Sequence, residues 1–198
     1  TELRRLGVAW TSFAPRLVGR FEKGVDYIGD AAAFEADWMV HAAIARVLGP
    51  YKLSLHSGSD KFSIYKAVAT HTRGVVHVKT AGTSWLEALR TLAAADAPLF
   101  RELYGFARER YDADRASYHV SARADAAPDP ATLPDEQLPA LLDDFHARQV
   151  LHVTFGSVLT AVDRAGTGRF SSRIMTGLSA HAEAYAANLE THFLRHLT

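Results

Sequence analysis

The hydrophobic pattern changes period at intervals along the chain, most clearly between Tyr51 and Leu89. Residues 52–55 alternate polar and apolar, as a half-buried strand does, and the polar corner His56-Ser57-Gly58-Ser59-Asp60-Lys61 follows at once. Residues 75–79 alternate again and run into Thr80-Ala81-Gly82-Thr83-Ser84-Trp85. After each corner the spacing turns helical, over 60–68 and from 83 to about 95. Polar chemistry therefore gathers where strands end and helices begin. There α/β proteins bind ligands, because loops and helix N-termini offer free N–H groups.

The flanking segments extend the same rhythm. Residues 7–13, aromatic and β-branched and closed by Pro15, predict a first strand. Residues 16–30 have two glycine corners and no period, and read as a loop carrying Glu22, Lys23, Asp26 and Asp30. Asp30 is expected to cap a helix over 31–48, with Phe34, Trp38, His41, Ala45 and Leu48 near helical spacing and Gly49-Pro50 as its stop. Thr83 or Ser84 is expected to cap the helix that begins there, and Pro98 opens another over 99–112. Residues 117–121 carry no clear pattern, and the prolines at 128, 130, 134 and 139 mark 122–139 as an irregular surface excursion. A helix is predicted over 138–146, a fourth strand over 149–155, and a helical tail over 157–198 striped by Tyr185, Leu189, Phe193 and Leu197.

Alternating βα units imply a mainly parallel sheet with right-handed crossovers, in a single α/β domain over 1–198. Four units make either a small open sheet or half of an eight-unit barrel. Ser54 and His56 share one strand face, as do His77 and Lys79, and His152 and Thr154. An open doubly wound sheet buries both faces and keeps them apolar, so this polar face favours a TIM-barrel-like half barrel.

Composition narrows the partners. Twenty-two basic residues balance twenty-two acidic ones, with ten His counted neutral, so no basic excess points to nucleic acid. No apolar run reaches the roughly 18 residues of a membrane span. The chain has no cysteine, which excludes disulfides and thiolate metal sites and fits a cytoplasmic protein. It opens on Thr1 and enters a strand-like segment within a few residues, so it is expected to be part of a longer protein.

His56, His77 and His152 end, or nearly end, three predicted strands. Imidazoles so placed could converge on a divalent ion such as Zn, Mn, Ni or Fe; the blander reading of each is a hydrogen-bonded core or rim histidine. Lys79 lies on the face of His77, where a lysine is costly unless paired or functional. It could hold a substrate carboxylate, form a Schiff base, or pair with Asp60, Glu22 or Glu87. Ser57, Ser59 and Lys61 could cradle an anion through the Gly58 corner, although no Walker pattern is present and a plain helix-start corner explains them as well. Glu22 is a candidate metal ligand or base, with Lys23 beside it; solvated charge is the alternative. Trp10 and Trp85 read as core. His41, His71, His119, His146, His181, His192 and His196 read as surface.

Four stretches, HSGSDKFSIY, KTAGTSWLEALR, APRLVGRFEKGVDYIGD and LHVTFGSVL, resemble the tagaturonate epimerase family of hexuronate catabolism, in the same order from about Gly7 to the last helix. The resemblance implies a metal-dependent sugar-acid epimerase with a (β/α)8-type barrel, interconverting D-tagaturonate and D-fructuronate. Family members are much longer, so the chain is expected to be their C-terminal half, completed by the missing N-terminal half or by a second copy. The two ketouronates differ at a carbinol carbon β to the ketone, whose hydrogen is not acidic. Inversion therefore needs retro-aldol cleavage and re-addition, or transient oxidation, and no G-x-G-x-x-G nicotinamide fingerprint is present. On that chemistry His56 and His152, with Glu22, are expected to hold the metal, His77, Asp60 or Glu22 to act as base, and Lys79, Lys61 and Lys23 to face the substrate carboxylate. A catalytically incomplete half barrel that binds a sugar acid is the competing expectation.

Overall fold

The computed structural model describes residues 2–57, 59–80 and 82–197. Within it the chain divides into two compact units, one formed by Thr1–Glu22 with Asp26–Ala81, the other by Lys23–Val25 with Gly82–Thr198. Among the described residues, no helix is long and apolar enough to cross a membrane.

The first unit is built on a three-stranded parallel sheet in the order β1 (Ser12–Phe13), β2 (Lys52–Leu55), β3 (Val76–Val78). Strand β1 is far shorter than the predicted 7–13. A helical turn, α1 (Glu2–Arg5), precedes it, and Gly7 takes a left-handed φ of 71° that turns the chain away. Helix α2 (Ala31–Leu48) starts where Asp30 accepts hydrogen bonds from Ala32 N at 2.8 Å and Ala33 N at 3.3 Å, and ends at Gly49-Pro50. Its buried face is Phe34, Trp38 and Ala42, spaced by four. Trp38 Nε1 donates to Val68 O at 3.2 Å, tying α2 to α3 (Phe62–Thr72). Leu53, Leu55, Ile64 and Val68 complete this core.

Pairing of Leu53 with Val76, Ser54 with His77 and Leu55 with Val78 fixes the two faces of the sheet. Leu53 and Leu55 enter the core. Ser54 Oγ lies 3.4 Å from His77 Nδ1 on the opposite face, and Lys79 N extends the ladder by donating to Leu55 O at 3.2 Å. The predicted polar face is real. His56, His77 and Lys79 are exposed at its C-terminal edge.

The second unit is helical. Helix α4 (Thr83–Ala95) buries residues around most of its circumference, including Trp85, Leu86, Leu89 and Leu92. Helix α5 (Ala97–Asp114) starts at Asp96, whose side chain accepts from Leu99 N at 3.0 Å. The segment after it is irregular, with 3-10 turns at Arg115–Ser117 and Pro130–Thr132, and a 3-10 helix, Asp135–Leu142, stands in the first part of the helix expected over 138–146. Helices α6 (Phe145–Val153), α7 (Phe155–Thr160), α8 (Ser171–Ala180) and α9 (Ala182–Leu194) follow.

Helix α6 replaces the predicted fourth strand over 149–155, so the described sheet has three strands. Asp144 accepts from Ala147 N at 2.8 Å and starts the helix. Every residue from Ala147 to Val153 is buried, so no polar stripe marks the helical period. A short apolar run that is covered on all sides reads alike as strand or helix. His152 therefore belongs to a helix and ends no strand.

Candidate functional site

At the C-terminal edge of the sheet the chain makes a tight corner. Ser57 and Asp60 both adopt left-handed φ, 53° and 62°, uncommon for residues with side chains and characteristic of constrained sites. Ser59 and Asp60 are buried, as is Glu22, whose carboxylate lies 3.6 Å from Arg20 Nη1. Gly58, the centre of the predicted anion cradle, lies outside the described residues.

Lys61 is fully buried, and its ammonium donates to Glu22 O at 2.9 Å and Ser59 O at 3.1 Å. It ties the loop after β1 to the corner after β2. Lys61 thus clamps two segments of backbone, where the sequence suggested a cation for the substrate carboxylate. The N-terminus of α3 is also occupied. Asp26 Oδ1 and Oδ2 accept from Ser63 N at 3.3 and 3.2 Å, and Ser63 Oγ donates to Asp26 Oδ1 at 2.9 Å. A carboxylate from the chain's own loop thus occupies the first turn of α3. Lys61 N donates to the Tyr65 hydroxyl at 3.1 Å, and burial of that phenol raises its pKa. Of the sequence candidates in this unit, His56, His77 and Lys79 are the ones with exposed side chains at the strand ends.

The second unit holds the other candidates. Gly24 and Gly82 are both left-handed, at φ 72° and 77°, and both lie against the His152 ring. A methyl at Gly24 would come within 3.2 Å of His152 Cβ, and one at Gly82 within 2.1 Å of its Cε1. The loop Lys23–Val25, the corner at Gly82 and His152 therefore do come together, although by a helix. Two neighbours of His152 on α6 hold that loop: Gln149 Nε2 donates to Lys23 O at 3.1 Å, and Arg148 Nε donates to Gly24 O. Trp85 Nε1 donates to Leu151 O at 2.9 Å, fixing α6 on α4.

The expected cap of α4 is different in kind. Gly82 occupies the N-cap position with no side-chain hydrogen bond, and Thr83 Oγ1 is buried without a partner among the described residues. His192, read as a surface residue, is buried and lies 3.2 Å from the Glu87 carboxylate. Sequence reasoning also passed over Arg148 and Gln149, although two long polar side chains inside the apolar run Ala147 to Val153 are themselves a signal of buried hydrogen bonding.

Comparison with known proteins places the whole chain in one family. A family model for tagaturonate epimerase matches residues 1–198. The chain is 44% identical over 196 residues to a tagaturonate/fructuronate epimerase of Thermotoga maritima, covering 99% of itself and 40% of that protein. The native crystal structure of a fructuronate-tagaturonate epimerase from Cohnella laeviribosi superimposes with a TM-score of 0.96 at 44% identity, again over 99% of this chain and 40% of the other. A glycerol complex of the same Cohnella enzyme gives the same values.

Proposed function

The chain belongs to the tagaturonate epimerase family, and from that premise we propose that it forms part of an enzyme interconverting D-tagaturonate and D-fructuronate by retro-aldol and aldol chemistry. The observation that carries the reading is 44% identity across 99% of the chain to an epimerase of that name. The exposed row His56, His77 and Lys79 on the polar edge of a parallel sheet supports it chemically.

In the reaction a base removes the proton of the β-hydroxyl, and the bond between the carbinol carbon and the α-carbon breaks. The pair of the broken bond passes to the ketone side as an enediolate; the aldehyde rotates, the enediolate carbon adds to its other face, and the base returns its proton to the new alkoxide. His77, with Ser54 Oγ beside it to orient the ring, is our choice for the base, ahead of the buried Asp60 and Glu22. Lys79 in the first unit and Lys23 in the second are each, taken alone, a candidate cation for the substrate carboxylate; Lys61 leaves that list because its ammonium serves two carbonyls.

A divalent ion would supply Lewis acidity at the ketone oxygen. His56 fits as a neutral nitrogen donor, exposed just past the end of β2. His152 fits less well, its ring packed against two glycines. The described strand ends thus offer part of a donor set, and the rest would come from elsewhere in the complete protein. The polar sheet face supports a sector of a barrel, with its open side covered by further βα units or a second copy. The absence of cysteine supports a cytoplasmic setting.

The decisive assay uses the longest natural protein that contains this segment. Conversion of D-fructuronate to D-tagaturonate, lost on chelation and restored by a divalent ion, is the expected result. No conversion sinks the epimerase reading, and full activity after exhaustive chelation sinks the metal. A second reading is favoured by length, since the chain spans 40% of the relatives it matches. On that reading the 198 residues alone bind the sugar acid without turning it over.

A further inference from the structure

Two buried polar side chains on one turn of α6 each join two irregular segments of the second unit. Gln149 is fully buried; its Oε1 accepts from Ala122 N at 2.9 Å while its Nε2 donates to Lys23 O at 3.1 Å. Arg148 is buried as well, and donates through Nε to Gly24 O and through Nη1 to Leu142 O at 2.6 Å. Burying an amide and a guanidinium is costly, and these bonds offset that cost only if both ends are held in register. The His152 ring, one turn further on, lies against Gly24 from the side. Lys23 and Gly24 are thereby held against a helical unit, although most of their neighbours in sequence belong to the other unit.

Lys23 itself is only partly buried, and among the described residues its ammonium forms no ion pair. A cation that is fixed through its backbone and left open at its tip is suited to an anionic ligand. Gripping the carbonyl of Lys23, and that of the next residue, removes the backbone freedom that would otherwise blur the position of the ammonium.

We propose that Gln149 and Arg148 are positioning residues that set the Lys23 ammonium for the carboxylate of a sugar acid. The proposal rests on the epimerase reading above. It adds that affinity for the acid depends on α6, a helix that need not touch the substrate. Gln149→Glu separates the two bonds of the amide, since a carboxylate still accepts from Ala122 N but has no donor for Lys23 O. Arg148→Lys keeps the charge while losing the fork that reaches two carbonyls.

The test has two arms, both on the longest natural protein. The first is amide hydrogen exchange over residues 23–26 in the wild type, Gln149→Glu, Gln149→Met and Arg148→Met, with α4 as the internal control. Loss of one or two buried hydrogen bonds is expected to speed exchange in that loop roughly tenfold, while α4 is unchanged. Unchanged loop exchange in the Gln149 and Arg148 variants overturns the positioning role, whether or not the protein turns over. The second arm is steady-state kinetics. KM for the sugar acid is expected to rise roughly tenfold in Gln149→Glu and in Lys23→Met, with kcat changed far less, and to recover partly in Arg148→Lys relative to Arg148→Met. A loosened loop with unchanged KM reduces the two residues to a structural role and also overturns the proposal. A wild type that turns over no sugar acid defeats the epimerase reading instead, and the proposal's carboxylate with it.

Discussion

His192 Nδ1 lies 3.2 Å from Glu87 Oε1, and both side chains are buried. Arg90 Nε is 3.0 Å from the other Glu87 oxygen and its Nη2 is 2.8 Å from Asp143, so the pair continues outward as a chain of charges from α9 through α4. Burial raises the Glu87 pKa, but hydrogen bonds and charge from His192 and Arg90 outweigh it and hold the carboxyl below its ordinary 4.5. A carboxyl depressed in the folded state adds stability above its unfolded value and loses it as pH falls through the folded one. Stability is therefore expected to fall below about pH 4.5, and Glu87→Gln should make that fall shallower. Urea midpoints measured from pH 3.5 to 7, roughly spanning that window, give the comparison. Identical slopes in the two chains would remove Glu87 from the titration. At neutral pH, Glu87→Ala should cost about 3 kcal/mol, because it strands a buried partner.

Gly82 and Gly74 share a left-handed backbone, at φ 77° and 74°, and differ in what surrounds them. Around Gly74 a methyl would meet nothing within 4 Å; at Gly82 it would strike the His152 ring. Gly74→Ala should cost only backbone strain, about 1 kcal/mol. Gly82→Ala adds a clash that the buried ring cannot escape, and should cost about 4 kcal/mol. Thermal or urea unfolding of the two variants measures the difference. Equal costs would mean that His152 moves freely, and would weaken the grouping of Lys23, Gly82 and His152.

What the sequence made legible follows from where each element meets solvent. Helix α2 and strand β2 were readable to the residue, because Asp30 and Gly49-Pro50 are local signals, α2 has one wet and one buried face, and β2 alternates polar with apolar residues. Helix α6 was not, since burial on all sides erased its period. His192 was misread for a related reason: its partner Glu87 is about a hundred residues away, and no local pattern announces a long-range pair. The polar strand face was legible from alternation, while Lys61 looked like a ligand cation until its carbonyl partners were known. Periodicity reports exposure, and the inward-facing charges that hold this chain together lie where it is silent.

Lys61 supplies a third prediction. Its buried ammonium bridges the carbonyls of Glu22 and Ser59. Lys61→Met keeps much of the side-chain volume but leaves those carbonyls without their donor, at a cost of roughly 1–3 kcal/mol. The effect should appear as a lower urea midpoint with an unchanged m-value. Because the ammonium serves the backbone, the variant's KM for a sugar acid should shift less than that of Lys79→Met. A larger KM effect at Lys61 would restore it to the substrate cations.

Asp30 and Thr83 occupy helix starts that look equivalent in sequence but differ in what their oxygens do. Asp30 accepts from two backbone N–H groups of α2, so Asp30→Ala should destabilise the chain by about 1 kcal/mol. Thr83 Oγ1 is buried without a partner among the described residues, and the N-cap of α4 is Gly82. Thr83→Val keeps the shape and removes a desolvated hydroxyl, so it should be neutral or stabilising by up to about 1 kcal/mol. Paired urea curves for the two variants test the contrast. A stability loss at Thr83 as large as that at Asp30 would show that the hydroxyl has a partner in solution, such as a bound water or an anion at the start of α4. That outcome would give the corner Gly82-Thr83-Ser84 the ligand-binding role its sequence first suggested.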